Sequence, residues 1–75
     1  MFLCEKIQYL REKNGLSRKQ LGKICGSSGT HIRYLEQGDR KDPQISTIIK
    51  IAQAFDLTVD ELLKGTEFDI KKGSE

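Results

Sequence analysis

The stretch that decides the fold is "SRKQLGKICGSSGTHIRYLEQG", residues 17–38. Gln20 follows Ser17 at the spacing of a capping box, so a helix is predicted to begin after Ser17. Its buried face is predicted from the apolar residues Leu21, Ile24 and Cys25. This helix is predicted to end near Gly26, where a positive φ carries no steric cost for glycine.

A second helix follows after a very short connection. Ser27 or Ser28 is its predicted N-cap, and it runs to Gln37 with Gly38 just beyond its end. So short a connection forces a steep crossing angle, and the spacing is that of a helix-turn-helix. Gly22 costs its helix up to about 1 kcal/mol relative to alanine, which predicts a close approach of the following helix at that point.

The rest of the chain adds three helices. Residues 2–13 carry apolar side chains at helical spacing and end at "NG", residues 14–15. "ISTIIKIAQAF", residues 45–55, has a broad apolar stripe that predicts the central, most buried helix. "TVDE", residues 58–61, is a second capping box before a last helix that stops at Gly65. The fold class is therefore all-α, a compact bundle of five helices.

One domain is predicted over residues 1–65, followed by a short tail over residues 66–75. In the tail, "EFDIK" is compatible with a short strand, a folded-back segment or disorder. Candidate dimer contacts are Leu62 or Leu63 in the last helix, and Phe68 and Ile70 in the tail. The alternative for Phe68 is that it covers the core of its own domain.

Composition argues against several classes of protein. Cys4 and Cys25 are two lone thiols, expected to be buried apolar groups in a reducing compartment, and with one histidine they form neither a disulfide framework nor a zinc site. No stretch resembles a signal peptide or a membrane span. We expect no cofactor, no metal and no membrane association, and a cytoplasmic location. No carboxylate pair, nucleophile or phosphate-binding loop indicates an enzyme.

Charge is unevenly distributed along the chain. Residues 1–41 contain nine Lys and Arg against four Asp and Glu, whereas residues 42–75 contain four against seven. The basic first half suggests a surface that binds a polyanion. An unevenly charged, solvated surface explains the asymmetry equally well.

The helix over residues 28–37 has a distinctive polar face. At about 100° per residue, Ile32, Leu35 and Glu36 share one side, and Thr30, Arg33, Tyr34 and Gln37 share the other. We expect Thr30, Arg33 and Tyr34 to read base edges in a DNA major groove, where arginine pairs with guanine. The alternatives are an ion pair of Arg33 with Glu36 or Asp39, and packing of Tyr34 on the preceding helix. His31 lies at the flank of this face.

Beyond the turn spacing, "LS" before the second helix, "LEQG" at the end of the third and "IAQAFDLTVDELL" resemble the Xre family, which includes lambdoid phage repressors and Cro. The resemblance covers residues 2–64 and implies a lambda-repressor-like fold that binds duplex DNA, often as a homodimer. It also implies a structural salt bridge between Arg11 and Glu36. Ser27 and Gly29 depart from the family pattern, in which the first position is usually apolar and the second reads a base.

DNA-backbone contacts are expected from the ends of the motif helices. The resemblance places Arg18 over the phosphates, in place of the family's usual glutamine. The full expected set is Ser17, Arg18, Ser28, Gly29, Gln37, Arg40 and Lys41. For Arg40 and Lys41 the alternative is a solvated turn. The function implied is a sequence-specific regulator, a repressor on an inverted-repeat operator. The alternative is a protein-interaction module of the same fold, such as an antitoxin, with a protein partner.

Overall fold

The structure is a computed structural model that describes residues 1–38 and 43–69. Five α-helices follow one another there: α1 Leu3–Lys13, α2 Arg18–Ile24, α3 Gly29–Glu36, α4 Ile45–Ala54 and α5 Val59–Leu63. Within those ranges no residue lies in a strand, and residues 64–68 form turns and a bend. The predicted all-α fold with five helices is confirmed.

Both predicted capping boxes are present. The Ser17 hydroxyl accepts from the Gln20 amide at 3.0 Å, and the Gln20 side chain accepts from the Ser17 amide at 2.7 Å. Thr58 and Glu61 repeat this arrangement at the start of α5, at 3.1 and 2.8 Å. The hydrogen bond from the Thr58 amide lowers the pKa of the Glu61 carboxyl. These reciprocal bonds satisfy amides that a helix start leaves without partners.

The core is assembled from every helix of the bundle. Its largest fully buried side chains are Leu21, Ile32, Ile51 and Leu62. Leu62 was a candidate dimer contact, but its side chain is fully buried. A side chain inside the core cannot reach another subunit, so that prediction is wrong. Cys25 is buried as predicted, and burial raises the pKa of its thiol. Cys4 is only half-buried, and both thiols are free.

Two predicted apolar faces are wider than the surfaces that the structure buries. Ile24 is 56% exposed, and on α4 Ile45 and Ile49 are 63% and 40% exposed. The buried residues of α4 are Ile48, Ile51 and Ala52. α3 buries three of its eight residues and α4 three of its ten, so the prediction that α4 is the most buried helix is wrong. Ile45 and Ile49 lie one turn apart on the same side of α4, and no other described helix covers that side.

Residues 66–69 fold back onto the start of α1. The Glu67 carboxylate accepts from the Leu3 amide at 2.7 Å, and Phe68 packs against the core cluster. Of the alternatives for this segment, the described part takes the folded-back form, and Phe68 contacts its own domain. Ile70, the other dimer candidate of the tail, lies outside the described residues.

Candidate nucleic-acid interface

Two glycines set the distance between α2 and α3. A Cβ on Gly22 would lie 2.4 Å from the carbonyl carbon of Ser28, and one on Gly29 would lie 3.1 Å from the Lys19 backbone. Gly26 has the predicted positive φ, +68°, in the turn between the helices. The predicted reason for Gly22 is confirmed. Gly29 has a structural reason that sequence reasoning missed, since it allows the start of α3 to touch the first turn of α2.

The outer face of α3 carries the predicted base-reading residues. Thr30, Arg33 and Tyr34 are exposed, whereas the opposite side buries Ile32, Leu35 and Glu36. The Arg33 guanidinium lies 5.3 Å from the centre of the Tyr34 ring, a cation–π contact that places the two side chains together at the surface. Arg33 forms no ion pair with Glu36, whose carboxylate binds two other arginines. Asp39, the other alternative partner of Arg33, lies outside the described residues.

Glu36 is a buried carboxylate that forms ion pairs with two arginines. Its side chain is 0% exposed, and the Nε of Arg11 donates to its Oε2 at 2.6 Å. The Nη2 of Arg11 donates to Oε1 at 3.2 Å, and its Nη1 donates to the Leu16 carbonyl at 2.8 Å. This pair joins α1 to α3, as the resemblance implies. The hydrogen bond to Glu36 raises the pKa of Arg11 above its ordinary value.

Arg18 has an unexpected partner in the same cluster. Its Nε donates to Oε1 of Glu36 at 3.0 Å, while 37% of its side chain remains exposed. Sequence reasoning assigned Arg18 to phosphate binding alone, because residues 18 places apart give no periodic signal of contact. One buried carboxylate therefore holds two guanidinium groups, from α1 and from α2.

The other expected backbone-contacting residues lie at helix ends. Ser17 caps α2, and Ser28 caps α3 by accepting from the His31 amide at 3.2 Å. Gly29 is the first residue of α3 and Gln37 is its C-cap. Arg40 and Lys41 lie outside the described residues.

Ser27 and His31 form a local pair that was not predicted. The Ser27 hydroxyl and the Nδ1 of His31 are 2.6 Å apart. Ser27 thus contributes a polar contact at a position that the resemblance expects to be apolar. Because Ser27 precedes the N-cap of α3, the spacing rule for residues within one helix does not predict this pair.

Other kinds of site find little support in the described ranges. No group of three or more potential metal-ligating side chains occurs in residues 1–38 and 43–69. No helix over the same residues is long and apolar enough to cross a membrane.

Comparison with known proteins relates this geometry to a family. A family model described as "Helix-turn-helix" matches residues 7–62. The HTH-type transcriptional regulator DdrOP3 of Deinococcus deserti is 35% identical over 68 residues, which are 91% of this chain and 52% of the relative. The chain thus spans about half of the length of this relative.

Solved structures agree in fold. The P22 c2 repressor in complex with a synthetic operator superposes with a TM-score of 0.78 at 28% identity, covering 87% of this chain and 97% of that one. SinR in complex with DNA superposes with a TM-score of 0.77 over 84% of this chain and 100% of the other, and its 22% identity shows the fold alone. The family comprises DNA-binding transcriptional regulators, not enzymes. The chain belongs to the helix-turn-helix family, in its Xre and lambda-repressor-like form.

Proposed function

We propose that this chain binds duplex DNA in a sequence-specific manner and represses transcription, with α3 in the major groove. The exposed face of Thr30, Arg33 and Tyr34, opposite a face buried in the core, carries this proposal. The helix is fixed from behind and presents hydrogen-bonding and stacking groups in front. An α-helix fits the major groove, where arginine can pair with guanine and the threonine methyl can meet the methyl of thymine.

Phosphate contacts would position this helix on the duplex. We assign them to Ser17, Arg18, Ser28, Gly29, Gln37, Arg40 and Lys41, at the ends of the motif helices or just beyond. Such contacts carry no sequence information but fix the orientation of the protein. About six of them per half-site would make binding steeply dependent on salt concentration.

A homodimer is part of the proposal. One recognition helix covers too few base pairs to find an operator in a genome, and two helices on half-sites about 34 Å apart supply the missing specificity. The operator is then an inverted repeat, because a two-fold protein matches a two-fold site. We place this activity in the cytoplasm. The P22 c2 repressor, found with its operator, supports the DNA target by similarity.

The testing experiment is selection of binding sites from a library of random duplexes, with Arg33→Ala/Tyr34→Ala as the comparison variant. Both replaced side chains are exposed, so the variant should keep its fold, which circular dichroism checks. We expect the wild type to enrich an inverted repeat and the variant to enrich none. If neither protein enriches a sequence, α3 does not read DNA and the antitoxin-like alternative becomes the better explanation.

A further inference from the structure

We propose that Glu36 is a positioning residue for DNA binding, which orients Arg18 so that the terminal nitrogens of its guanidinium bind a backbone phosphate. This inference rests on the proposed function and deepens it. Glu36 itself would not touch DNA. Its buried carboxylate would fix the direction of a charged group that does.

The first support is that the two arginines that bind Glu36 differ in exposure and in the number of their hydrogen bonds. Arg11 is only 12% exposed and uses all three of its nitrogens on Glu36 and Leu16. Arg18 is 37% exposed and reaches Glu36 through Nε alone. The exposed carboxylate of Glu12 lies 3.7 Å from Nη2 of Arg11 and offsets the charge of that guanidinium. The guanidinium of Arg18 is the one that reaches solvent, because Arg11 is enclosed.

The second support is the geometry of a guanidinium held through Nε. Arginine has five N–H donors in a planar fork, and four of them belong to Nη1 and Nη2. Over the described residues, neither Nη atom of Arg18 has an acceptor in the protein. A bond at Nε to a buried acceptor limits rotation of the plane. The Nη edge is then presented in one direction, as paired donation to a phosphate requires.

The third support is the location of the cluster beside the base-reading face. Glu36 follows Arg33 by three residues on α3, so their side chains project from adjoining sides of the helix. The first turn of α2, which bears Arg18, touches the first residue of α3, as the Gly29 contact with Lys19 shows. A helix lying in the major groove would therefore bring this edge of the protein toward the DNA backbone.

The direction in which Glu36→Gln changes the affinity for DNA distinguishes a positioning role of Glu36 from a simple effect of its charge. Glu36→Gln removes a negative charge near the interface, so charge alone predicts tighter binding to DNA. Positioning predicts weaker binding, because glutamine offers one uncharged oxygen where Glu36 offers two charged ones, so Arg11 and Arg18 can no longer both be held. Loss of the Arg11 contact also weakens binding if it tilts α3, but that effect does not require arginine at position 18.

The experiment is a double-mutant cycle on the duplex enriched by the wild type. The wild type, Arg18→Gln, Glu36→Gln and the double variant are titrated by fluorescence anisotropy over a range of salt concentrations. We expect Glu36→Gln to weaken binding about tenfold when residue 18 is arginine, as for loss of a charge-assisted contact, and not to weaken it further in the Arg18→Gln chain. Arg18→Gln should reduce the salt slope by about 0.9 per half-site, the value for one phosphate contact.

Affinity for a random-sequence duplex distinguishes a positioning role of Glu36 from a purely structural role. Phosphate contacts are independent of sequence, so Glu36→Gln should weaken binding to random and selected duplexes by the same factor. A tilted α3 would instead reduce the ratio between them. The matched control is Lys19→Gln, which removes the neighbouring positive charge on an exposed side chain with no bond to Glu36. Its effect should be the same with Glu or Gln at position 36.

Arg18→Lys keeps the inference testable if Glu36→Gln does not fold. A lysine ammonium has no second edge, so it cannot be held by Glu36 and present a paired donor to phosphate. We expect Arg18→Lys to bind more weakly than the wild type although it keeps the positive charge, and wild-type affinity would overturn the inference. Tighter binding by Glu36→Gln, or equal weakening in both backgrounds, would overturn it too. If the wild type binds no duplex, the proposed function itself fails and this inference fails with it.

Discussion

Replacement of Gly22 by alanine is expected to destabilise the domain, although alanine is the better helix former. The new Cβ would lie 2.4 and 2.6 Å from the carbonyl carbon and oxygen of Ser28, and 2.8 Å from the Gly29 nitrogen. These are backbone atoms, so no side-chain rotation relieves the contact. Since ordinary contact begins near 3.4 Å, the start of α3 would have to move by about 1 Å.

Two opposing free energies set the magnitude. Helix propensity favours alanine by about 1 kcal/mol. Overpacking costs about 1–3 kcal/mol and occasionally more, and a clash with backbone belongs at the upper end. The net loss is then about 2 kcal/mol. For a domain of this size that lowers Tm by about 8–16 °C. A core this small rarely supplies more than about 3–5 kcal/mol, so roughly half of the stability would be lost.

Thermal and urea unfolding followed by circular dichroism measure this effect. Gly29→Ala is the graded comparison, because its Cβ would meet the Lys19 backbone at 3.1 Å and therefore requires a smaller shift. Lys23→Ala, at an exposed position of α2, is the control and should unfold close to wild type. From most to least stable, the expected order is Lys23→Ala, Gly29→Ala and Gly22→Ala. If Gly22→Ala is as stable as the wild type, the close approach of α2 and α3 is refuted.

Three further predictions concern other contacts. Glu36→Ala leaves Arg11 without its partner and should cost about 3–5 kcal/mol, close to the whole stability of so small a core, so the variant should be largely unfolded without urea; a wild-type urea midpoint would contradict the ion pair. Thr58→Ala removes the N-cap of α5 and should cost about 1 kcal/mol, or about 4–8 °C in Tm, whereas an unchanged Tm would show that the cap contributes nothing. The pKa of Glu61 is lowered in the folded state, so its charge stabilises at neutral pH, and this contribution is lost as the pH falls through and below its ordinary value of 4.5. The advantage of the wild type over Glu61→Gln in urea should shrink over that range, and a constant difference would exclude this linkage.

Local signals in the sequence predicted most of the fold. The capping boxes at Ser17 and Thr58 depend on residues three apart, and glycine at position 22 has few explanations other than close packing. The third helix was also predictable, because its apolar and polar sides separate cleanly at helical spacing. The sequence signal for each of these features lies within one helix or one turn.

Two features that depend on distant residues were missed, and the distant Arg11–Glu36 pair was expected only from the family resemblance. The Arg18 bond to Glu36 and the Glu67 bond to Leu3 join residues 18 and 64 positions apart. Ile24 and Ile45 were predicted to be buried because they are apolar and suitably spaced. Periodicity shows which side of a helix is apolar, but it does not show how much of that side a neighbouring helix covers.

The hydrogen bond between Leu3 and Glu67 has a consequence for folding during synthesis on the ribosome. A ribosome releases α1 first, but an amide of its first turn cannot reach its carboxylate until residue 67 has emerged. The contact closes a loop of 64 residues, whose entropy must be overcome in one step. Nascent chains arrested before Glu67 should therefore be less resistant to protease than chains in which residue 67 has left the exit tunnel.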